Sequence, residues 1–376
     1  MSFRFIHTAD WQLGKPFSSV PGDPGAALRI QRLETVAKVA ALAVEHGVDA
    51  VLVAGDVFDD NEVSDETLRR TMNTLGAFAG LWVLLPGNHD AATSQSVWRR
   101  LRSLEVVPDN VVIADSPEPV ELARGAAVVL PAPLQRRHEA RDLTEWFDQY
   151  ESPESVMRIG LAHGSMTRRL PEAADSMNPI AEDRAVTASL DYLALGDWHG
   201  MLEIADRCWY SGTPEPDRFK DNAPGNVLLV EIDEPGGSPR VTPIEVGEFQ
   251  WQLLSHELID DESINVLRSQ LEELATHASR RLVRLTLTGS VTLSQRLRVV
   301  SLLDEWQAKF HYLDVRDADL AAQPSEDDIA AMDASGFVRS AVDALVEIQS
   351  DETNPDHEDA GLALQLLYME QEGVKQ

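Results

Sequence analysis

Short apolar runs alternate with longer amphipathic stretches over much of the chain. A short apolar run predicts a buried strand, and apolar residues three and four positions apart predict a helix with one buried face. The pattern predicts helices over 27–46, which Gly47 closes, and over 64–78. It predicts strands over 3–8, 51–54, 81–85, 111–114, 126–130, 158–162, 192–195, 227–232 and 241–245. Strands that alternate with helices indicate an α/β fold with a layered core.

The pattern changes after the Pro/Gly-rich turn at 235–239. Strands over 249–254, 281–288 and 311–315 and helices over 261–277 and 294–310 then predict a smaller α/β domain. An acidic, irregular stretch over 317–328 predicts a linker, and helices over 336–349 and 360–371 follow it. The predicted divisions are a larger domain, 1–247, a smaller domain, 248–316, and a tail, 317–376.

The net charge of the chain limits how it could bind a nucleic acid. The 376 residues include 63 acidic and 32 basic side chains, for a net charge of −31. Such a surface repels a polyanion. One interpretation is that the acidic surface is solvated and keeps the protein soluble. The other is that the chain binds nucleic acid only through a local patch, a bound metal or a basic partner.

Cysteine content and terminal patterning favour a cytoplasmic protein. Cys208 is the single cysteine, which excludes an internal disulfide framework and a thiolate zinc cluster and fits a reducing compartment. No apolar run reaches the ~18 residues of a membrane span, and the sequence after Met1 lacks a signal-peptide layout. We therefore expect no association with a membrane.

Polar side chains follow the ends of several predicted strands. The segments are His7-Thr8-Ala9-Asp10-Trp11-Gln12, Gly55-Asp56-Val57-Phe58-Asp59, Gly87-Asn88-His89-Asp90, His163-Gly164 and Gly196-Asp197-Trp198-His199. Each alone is weak, because Gly-Asp after a strand is common and a lone histidine is more often a core residue. Together they predict a metal site, since open α/β sheets place ligands beyond the carboxyl ends of their strands.

These residue types suit the hydrolysis of a phosphodiester. Two divalent ions ~3.5–4 Å apart neutralise the phosphate and make a nucleophile from water. A carboxylate between two ions bridges them, while amide oxygens and imidazoles complete the shells without adding charge. A free histidine nearby can protonate the leaving oxygen, because its reference pKa is ~6.5. The sequence therefore predicts a two-metal phosphoesterase.

The ordered motifs resemble those of the calcineurin-like metallophosphoesterases, and their wording resembles the SbcD-type DNA double-strand-break repair exonucleases. The residues that carry the likeness lie at 5–11, 53–59 and 85–90, and in the turn at 210–215. The resemblance implies a layered β-sandwich flanked by helices, with 1–247 as the nuclease domain. It also implies a capping domain that contacts DNA, a tail that docks on an SbcC-type coiled-coil ATPase, and a homodimer.

The same resemblance implies roles for individual residues. Asp56 would bridge the two metals and take part in catalysis. Asp10 and His199 would hold the first metal, and Asn88 and His163 the second. His89 would act as the acid for the leaving group or would stabilise the transition state.

Two positions depart from the family pattern. Gln12 and Asp197 stand where the family usually has histidine. If both bind metal, they shift the site from nitrogen toward oxygen ligands, which suits Mn²⁺ or Mg²⁺. The site is then either active with a changed metal preference, or it binds the first metal weakly and has low activity. The other motif residues are all present, which favours the active site.

We therefore expect a nuclease in which a metal-bound hydroxide attacks DNA and a histidine assists the leaving group. The alternatives are a phosphodiesterase or phosphatase for small nucleotides, and a weakly active scaffold subunit of an ATPase complex. Trp11 and Trp198 could stack on a base or could pack around the site. Arg168 and Arg169 could contact phosphate or could form ion pairs within the chain.

Overall fold

The computed structural model describes residues 2–167, 177–323, 325–331, 337–351 and 353–371. The chain folds as two units, Met1–Phe249 and Gln250–Gln376. The second unit therefore includes the C-terminal helices together with the smaller sheet.

The first unit contains two six-stranded sheets and a two-stranded pair among its described residues. Its strands are β1 (Phe3–Thr8), β2 (Ala50–Val53), β3 (Leu81–Leu84), β4 (Val111–Ile113), β5 (Val120–Leu122), β6 (Ala127–Ala132), β7 (Met157–His163), β8 (Ser165–Met166), β9 (Pro179–Ile180), β10 (Tyr192–Gly196), β11 (Leu202–Ala205), β12 (Cys208–Tyr210), β13 (Asn226–Ile232) and β14 (Arg240–Glu245). Its helices are α1 (Gly22–Glu45), α2 (Asp65–Leu75), α3 (Val97–Ser103) and the short α4 (Arg184–Thr187).

Parallel strands form the middle of both large sheets. The first sheet has the order β14-β13-β1-β2-β3-β4, with β1 to β4 parallel and β13 and β14 antiparallel. The second has the order β11-β12-β10-β7-β6-β5, with antiparallel strands only at its two edges. Neighbouring parallel strands end together, so the polar segments after β1, β2 and β3 lie side by side. The same holds for those after β7 and β10.

The two sheets share a hydrophobic core. Phe5 and Leu52 of the first sheet belong to the same buried cluster as Ile159 and Tyr192 of the second. The other face of the first sheet packs against α1, α2 and α3, in a cluster that includes Val36. The predicted α/β fold, a layered β-sandwich flanked by helices, is confirmed.

The starts of the first two helices follow from local chemistry. Helix α2 begins after Ser64, whose Oγ accepts a hydrogen bond from the backbone N–H of Thr67. Helix α1 begins at Gly22, five residues before the predicted start at Ala27. Pro24 lies in its first turn, where a missing N–H breaks no helical hydrogen bond.

A three-stranded parallel sheet forms the centre of the second unit. Its strands, in the order β15-β16-β17, are β15 (Gln250–Leu258), β16 (Arg281–Thr292) and β17 (Tyr312–Gln323). Its helices are α5 (Asp261–Glu273), α6 (Leu293–Gln307), α7 (Glu326–Ala331), α8 (Phe337–Ser350) and α9 (His357–Gln371). Helices α5 and α6 connect successive strands, and Leu267, Leu285 and Leu302 lie in the common core.

The prediction of an acidic linker over 317–328 is wrong. Strand β17 continues to Gln323, and Leu320 lies opposite Gly289 of β16. Asp317 forms an ion pair with Arg296, so an acidic side chain is accommodated at the side of the strand. Asp328 is buried and accepts hydrogen bonds from the backbone N–H groups of residues 293, 294 and 325. The acidic composition of this stretch therefore led to a wrong prediction, because 317–323 belongs to a strand and Asp328 caps the start of α6.

The C-terminal helices pack within their own unit. Val342, Leu364 and Tyr368 are buried in a cluster with Leu293 of α6. Phe337, Val338, Leu362, Leu366 and Leu367 are exposed large apolar side chains on the same helices. In the described part of the chain, no helix combines the length and apolar character needed to cross a membrane.

Candidate metal centre

The side chains predicted to bind metal come from strand ends in both sheets of the first unit. Asp10 follows β1, Asp56 follows β2 and Asn88 follows β3. His163 is the last residue of β7, and Asp197 follows β10 directly. Because Gly196 pairs with His163 in the second sheet, these last two positions are neighbours.

Three of the predicted ligands come together, and two more lie beside them. Asp10, Asp56 and His163 are buried, and each offers a ligand atom within 4.8 Å of the others. His163 Nε2 lies 3.5 Å from Asp56 Oδ1 and 3.7 Å from Asp197 Oδ1. The amide of Asn88 donates from Nδ2 to Asp197 Oδ1 over 3.3 Å. We call these five residues the ligand cluster.

Two ligand atoms of the cluster are buried without a hydrogen-bond partner, Asn88 Oδ1 and His163 Nε2. His163 Nδ1 lies 2.8 Å from the carbonyl oxygen of Ala54. A proton on Nδ1 donates to this carbonyl, so in the neutral ring the lone pair of Nε2 faces the cluster. A buried polar atom left unpaired costs about 1–3 kcal/mol. A divalent cation would satisfy both atoms, so the residues present fit such an ion.

The electrostatics of the cluster also fit a cation. Burial raises the pKa of Asp10 to about 6, although nearby histidines oppose the shift. For His163, burial lowers the pKa, but the carboxylates of Asp56, Asp197 and Asp10 outweigh it and raise the pKa to about 9. Burial likewise raises the pKa of Asp197. Buried carboxylates gathered this closely are stabilised by a positive charge among them.

Glycines at the strand ends leave space for these side chains. A Cβ atom on Gly55 would lie 2.2 Å from His163 Nδ1, and one on Gly87 would lie 2.2 Å from Asp56 Oδ1. Asp10 and Asp56 have positive φ angles of 54° and 53°. Such angles are uncommon for residues other than glycine, and they often occur at functional sites.

His89 lies beside the cluster with a fixed ring. Its backbone N–H donates to Asp56 Oδ1 over 2.9 Å, and its Nδ1 lies 2.7 Å from the carbonyl oxygen of Asp59. The Nε2 atom is 4.0 Å from Asp56 Oδ2, and the side chain is 29% exposed. Nδ1–H donates to the carbonyl, so Nε2 is the atom that can exchange a proton with a bound substrate.

Asp90, the last residue of the third motif, holds the His89 loop in place. Its carboxylate accepts hydrogen bonds from the backbone N–H groups of Gly87 and Phe58, over 2.7 and 3.0 Å. Its side chain is fully buried. Asp90 therefore joins the loop after β3 to the loop after β2.

Gln12 and His199 are engaged by other side chains. Gln12 Oε1 accepts a hydrogen bond from Lys15 Nζ over 2.7 Å, and its Nε2 lies 3.4 Å from His199 Nε2. His199 Nδ1 lies 3.3 Å from Asp217 Oδ1. The guanidinium of Arg218 lies 3.0 and 3.3 Å from the two ring nitrogens of His199. The atoms through which Gln12 and His199 were predicted to bind metal thus already have partners.

Lys15, Asp217 and Arg218 are site residues that the sequence analysis did not identify. Lys15 stands three positions after Gln12, in the same strand-end segment. Asp217 and Arg218 follow the turn at 210–215, which had carried part of the family resemblance. Their nearness to known motifs was the available signal, although no spacing rule gives their contacts.

The two tryptophans of the motifs differ in their surroundings. Trp11 is 1% exposed, donates its indole N–H to Thr8 Oγ1 and meets Trp82 edge to face. It is therefore a core residue and does not stack on a base. Trp198 is half-buried, and Lys220 Nζ lies 4.1 Å from its ring centroid. Arg168 and Arg169 lie outside the described residues.

The family profile of the calcineurin-like phosphoesterases matches residues 3–230, a range that includes all the motifs of the site. The chain belongs to the calcineurin-like phosphoesterases. Membership in this family makes the ligand cluster a candidate centre for a metal-dependent hydrolysis of phosphate esters.

Two bacterial proteins are similar to more than half of the chain. An uncharacterised metallophosphoesterase, YhaO of Bacillus subtilis, is 24% identical over 304 residues, or 76% of this chain and 72% of YhaO. The SbcD component of the nuclease SbcCD of Escherichia coli K12 is 25% identical over 257 residues, or 58% of this chain and 62% of SbcD. The match therefore spans less than two thirds of the E. coli protein.

Two further similarities are more limited. The SbcD component of the nuclease SbcCD of Rhodobacter capsulatus is 33% identical over 94 residues, which are 24% of this chain and 22% of that protein. A crystal structure of a dimetal phosphatase from Danio rerio aligns with a TM-score of 0.36 and 12% identity, and covers 64% of this chain and 98% of the phosphatase.

Proposed function

We propose that the chain is a metal-dependent phosphodiesterase that cleaves DNA. The observation that carries the proposal is the pair of buried, unpartnered ligand atoms, Asn88 Oδ1 and His163 Nε2, beside the carboxylates of Asp10 and Asp56. The proposal of DNA as substrate is supported by the similarity to two proteins named as components of a nuclease. We expect the protein in the cytoplasm, a reducing compartment that fits its single cysteine.

The ligand cluster would hold the divalent ion. Its donors are three carboxylates, one amide oxygen and one imidazole nitrogen. This oxygen-rich set favours Mn²⁺ or Mg²⁺ over softer ions. When bound, the ion would supply Lewis-acid charge stabilisation and activate water near neutral pH.

His89 is positioned to supply a proton to the leaving oxygen. The carbonyl of Asp59 fixes the ring through Nδ1, and the backbone of His89 is tied to Asp56. Since the His89 side chain is partly exposed beside the cluster, a phosphodiester bound there can receive the proton of Nε2. General acid catalysis of this kind contributes about 10²–10⁴-fold to a rate.

The catalytic assignment is tested by Mn²⁺-dependent hydrolysis of a dinucleotide phosphodiester, whose alkoxide leaving group needs a proton, together with metal content. Asp56→Asn should lose both metal and activity. His89→Ala should keep its metal and lose activity by about 10²-fold or more. His46→Ala, at the end of α1, is the control and should match the wild type. Equal activity in the wild type and both site variants would remove the assignment.

Substrate class is tested by comparing a DNA oligomer with cyclic nucleotides and phosphomonoesters. We expect cleavage of DNA to be preferred. Faster turnover of a cyclic nucleotide or a monoester would instead support a phosphodiesterase or phosphatase for small nucleotides. No feature of the described residues specifically favours that alternative.

A partner and a second copy are further parts of the proposal. The exposed apolar residues of α8 and α9, which include Phe337 and Leu362, support docking on an SbcC-type coiled-coil ATPase. Co-expression with such an ATPase and size-exclusion chromatography with light scattering would test the complex. The same measurement on the chain alone distinguishes a homodimer from a monomer.

A further inference from the structure

A network of charged side chains lies beside the ligand cluster. Lys15 Nζ donates to Gln12 Oε1 over 2.7 Å and forms an ion pair with Asp217 Oδ2 at 2.9 Å. It also lies 4.0 Å from Asp59 Oδ1. The side chain of Asp217 is 1% exposed and that of Lys15 is 21% exposed. Lys15 is therefore held in one place by acceptors on different segments of the chain.

Arg218 brings a second positive charge to the same place. Its Nε and Nη2 donate to the two carboxylate oxygens of Asp217 over 2.9 and 3.0 Å. The same Nη2 lies 3.0 Å from His199 Nδ1 and 3.3 Å from His199 Nε2. Because the side chain is 48% exposed, its guanidinium reaches solvent as well as the site. We call Gln12, Lys15, His199, Asp217 and Arg218 the cationic network.

The two halves of the site differ in the state of their ligand atoms. In the ligand cluster, Asn88 Oδ1 and His163 Nε2 are buried and have no hydrogen-bond partner. In the cationic network, Gln12 Oε1 and both ring nitrogens of His199 lie within hydrogen-bond distance of other side chains. A divalent ion would give the unpartnered atoms of the ligand cluster a partner. To bind Gln12 and His199, the same ion would have to displace the side chains of Lys15 and Arg218.

Electrostatic repulsion also favours the ligand cluster over the cationic network as the place for a metal ion. A metal ion bound between Gln12 and His199 would lie close to the ammonium of Lys15 and the guanidinium of Arg218. Like charges at such short range repel strongly, especially where burial reduces screening by water. One acidic partner, Asp217, already offsets part of the charge of both side chains.

We propose that this site takes one resident divalent ion, in the ligand cluster, and that Lys15 and Arg218 occupy the position where Gln12 and His199, together with Asp10, were expected to hold the first of two ions. The inference rests on the proposed phosphodiesterase function. The two side chains would offer the fixed positive charge that a phosphodiester needs, Arg218 through paired N–H donors and Lys15 as a compact charge. The proposal differs in this respect from the sequence-based expectation of two ions.

Metal stoichiometry at saturating Mn²⁺ tests the proposal on the full chain. Equilibrium dialysis with elemental analysis should give one Mn²⁺ per chain, and electron paramagnetic resonance should show no exchange-coupled Mn²⁺ pair. Two ions in the wild type would overturn the inference and leave the proposed function intact. No bound ion would overturn the inference and the proposed function together.

The role of Lys15 and Arg218 is tested by the triple variant Gln12→His/Lys15→Met/Arg218→Met, which introduces an imidazole and removes both cations. It should bind two Mn²⁺ per chain and show the coupled resonance signal. Gln12→His/Lys38→Met is the matched control, because Lys38 lies on α1 and bonds the carbonyl of Val246. This control should still bind one ion. A single ion in the triple variant, with its thermal unfolding unchanged, would overturn the role of Lys15 and Arg218; wild-type stoichiometry decides the number of ions even if the variant does not fold.

Discussion

His163 illustrates how neighbouring residues prepare one side chain for a cation. The carbonyl of Ala54 fixes the proton on Nδ1, and Nε2 is left without a partner among carboxylates. Gly55 provides the space for the ring, since any Cβ there would overlap it. The position and hydrogen bonding of this histidine are therefore set by residues at a strand end of the other sheet.

The substitution Gly55→Ala should displace His163. The new Cβ would lie 2.2 Å from Nδ1, and the φ of +89° is unfavourable for alanine. We expect Mn²⁺ affinity to fall about 10–100-fold, as it does when other supporting contacts of a ligand are lost. Gly125→Ala is the control, since its φ is +90° and its Cβ would meet no atom within 4 Å. Isothermal titration showing equal affinity in both variants would contradict this account of Gly55.

Metal binding should release protons and weaken as pH falls. In the metal-free chain the pKa of His163 is about 9, so the ring is protonated at neutral pH and the ion must displace that proton. Affinity should therefore rise about tenfold per pH unit up to about pH 9. Below about pH 6, protonation of Asp10 should steepen the loss. Calorimetry in buffers of different ionisation enthalpy measures the protons, and a pH-independent affinity would contradict the prediction.

At this scale the sequence identified the ligand cluster but not its neighbours. Each of the five residues lies within three positions after the end of a predicted strand, and parallel strands bring such positions together. Lys15 and Arg218 lie about as close to the motifs in sequence, but their partners depend on how side chains extend from irregular turns. Hydropathy patterns carry no information about those directions.

Helix α1 supports the site through a charged residue on its buried face. Arg32 is 2% exposed and donates to the carbonyl oxygens of Asp10, Trp11 and Glu215. Glu215 in turn accepts a hydrogen bond from Thr35 Oγ1 of the same helix over 2.5 Å. The helix therefore holds the turn that presents Asp10 to the ligand cluster.

Replacing Arg32 with leucine should destabilise the first unit. The change leaves buried carbonyl oxygens without donors and Glu215 without a nearby positive charge, at a cost of about 3–5 kcal/mol. Arg29→Leu is the control, because Arg29 is exposed and bonds only the carbonyl of Pro16 among the described contacts. We expect it to change stability by about 0.5 kcal/mol or less. Chemical denaturation that finds the two variants equally stable would exclude this role.

The elements that the sequence predicted best are long and strongly patterned, such as α2 and the strands of the central sheets. The short elements α3, β5, β11 and β12 were missed, because each spans few residues and has little periodicity. Strand β17 extends eight residues past the predicted strand at 311–315, because an acidic stretch in a sequence favours a linker. In both cases tertiary contacts, which a local pattern does not contain, decide the structure.

At the scale of the whole chain, net charge bears on the proposed action on DNA. A charge of −31 repels a polyanion, while Lys15 and Arg218 concentrate positive charge at the site itself. The chain should thus bind a phosphodiester locally while resisting a long duplex. A basic partner would remove this conflict.

The isolated chain should bind duplex DNA weakly at physiological salt, with a Kd no tighter than the about 10⁻⁴–10⁻⁶ M of non-specific binders. Fluorescence anisotropy of a labelled duplex over a range of salt concentrations measures this. Tight binding that does not change with salt would contradict the electrostatic argument. Addition of an SbcC-type ATPase should increase the affinity.

The central claim is that one divalent cation binds among Asp10, Asp56, Asn88, His163 and Asp197. Crystals of the full chain grown with Mn²⁺, with data collected near the manganese absorption edge, test this directly. We predict an anomalous peak in contact with Asn88 Oδ1 and His163 Nε2, the two atoms that lack partners. No peak at this position in crystals that contain Mn²⁺, or a peak only at a different group of residues, would contradict the account.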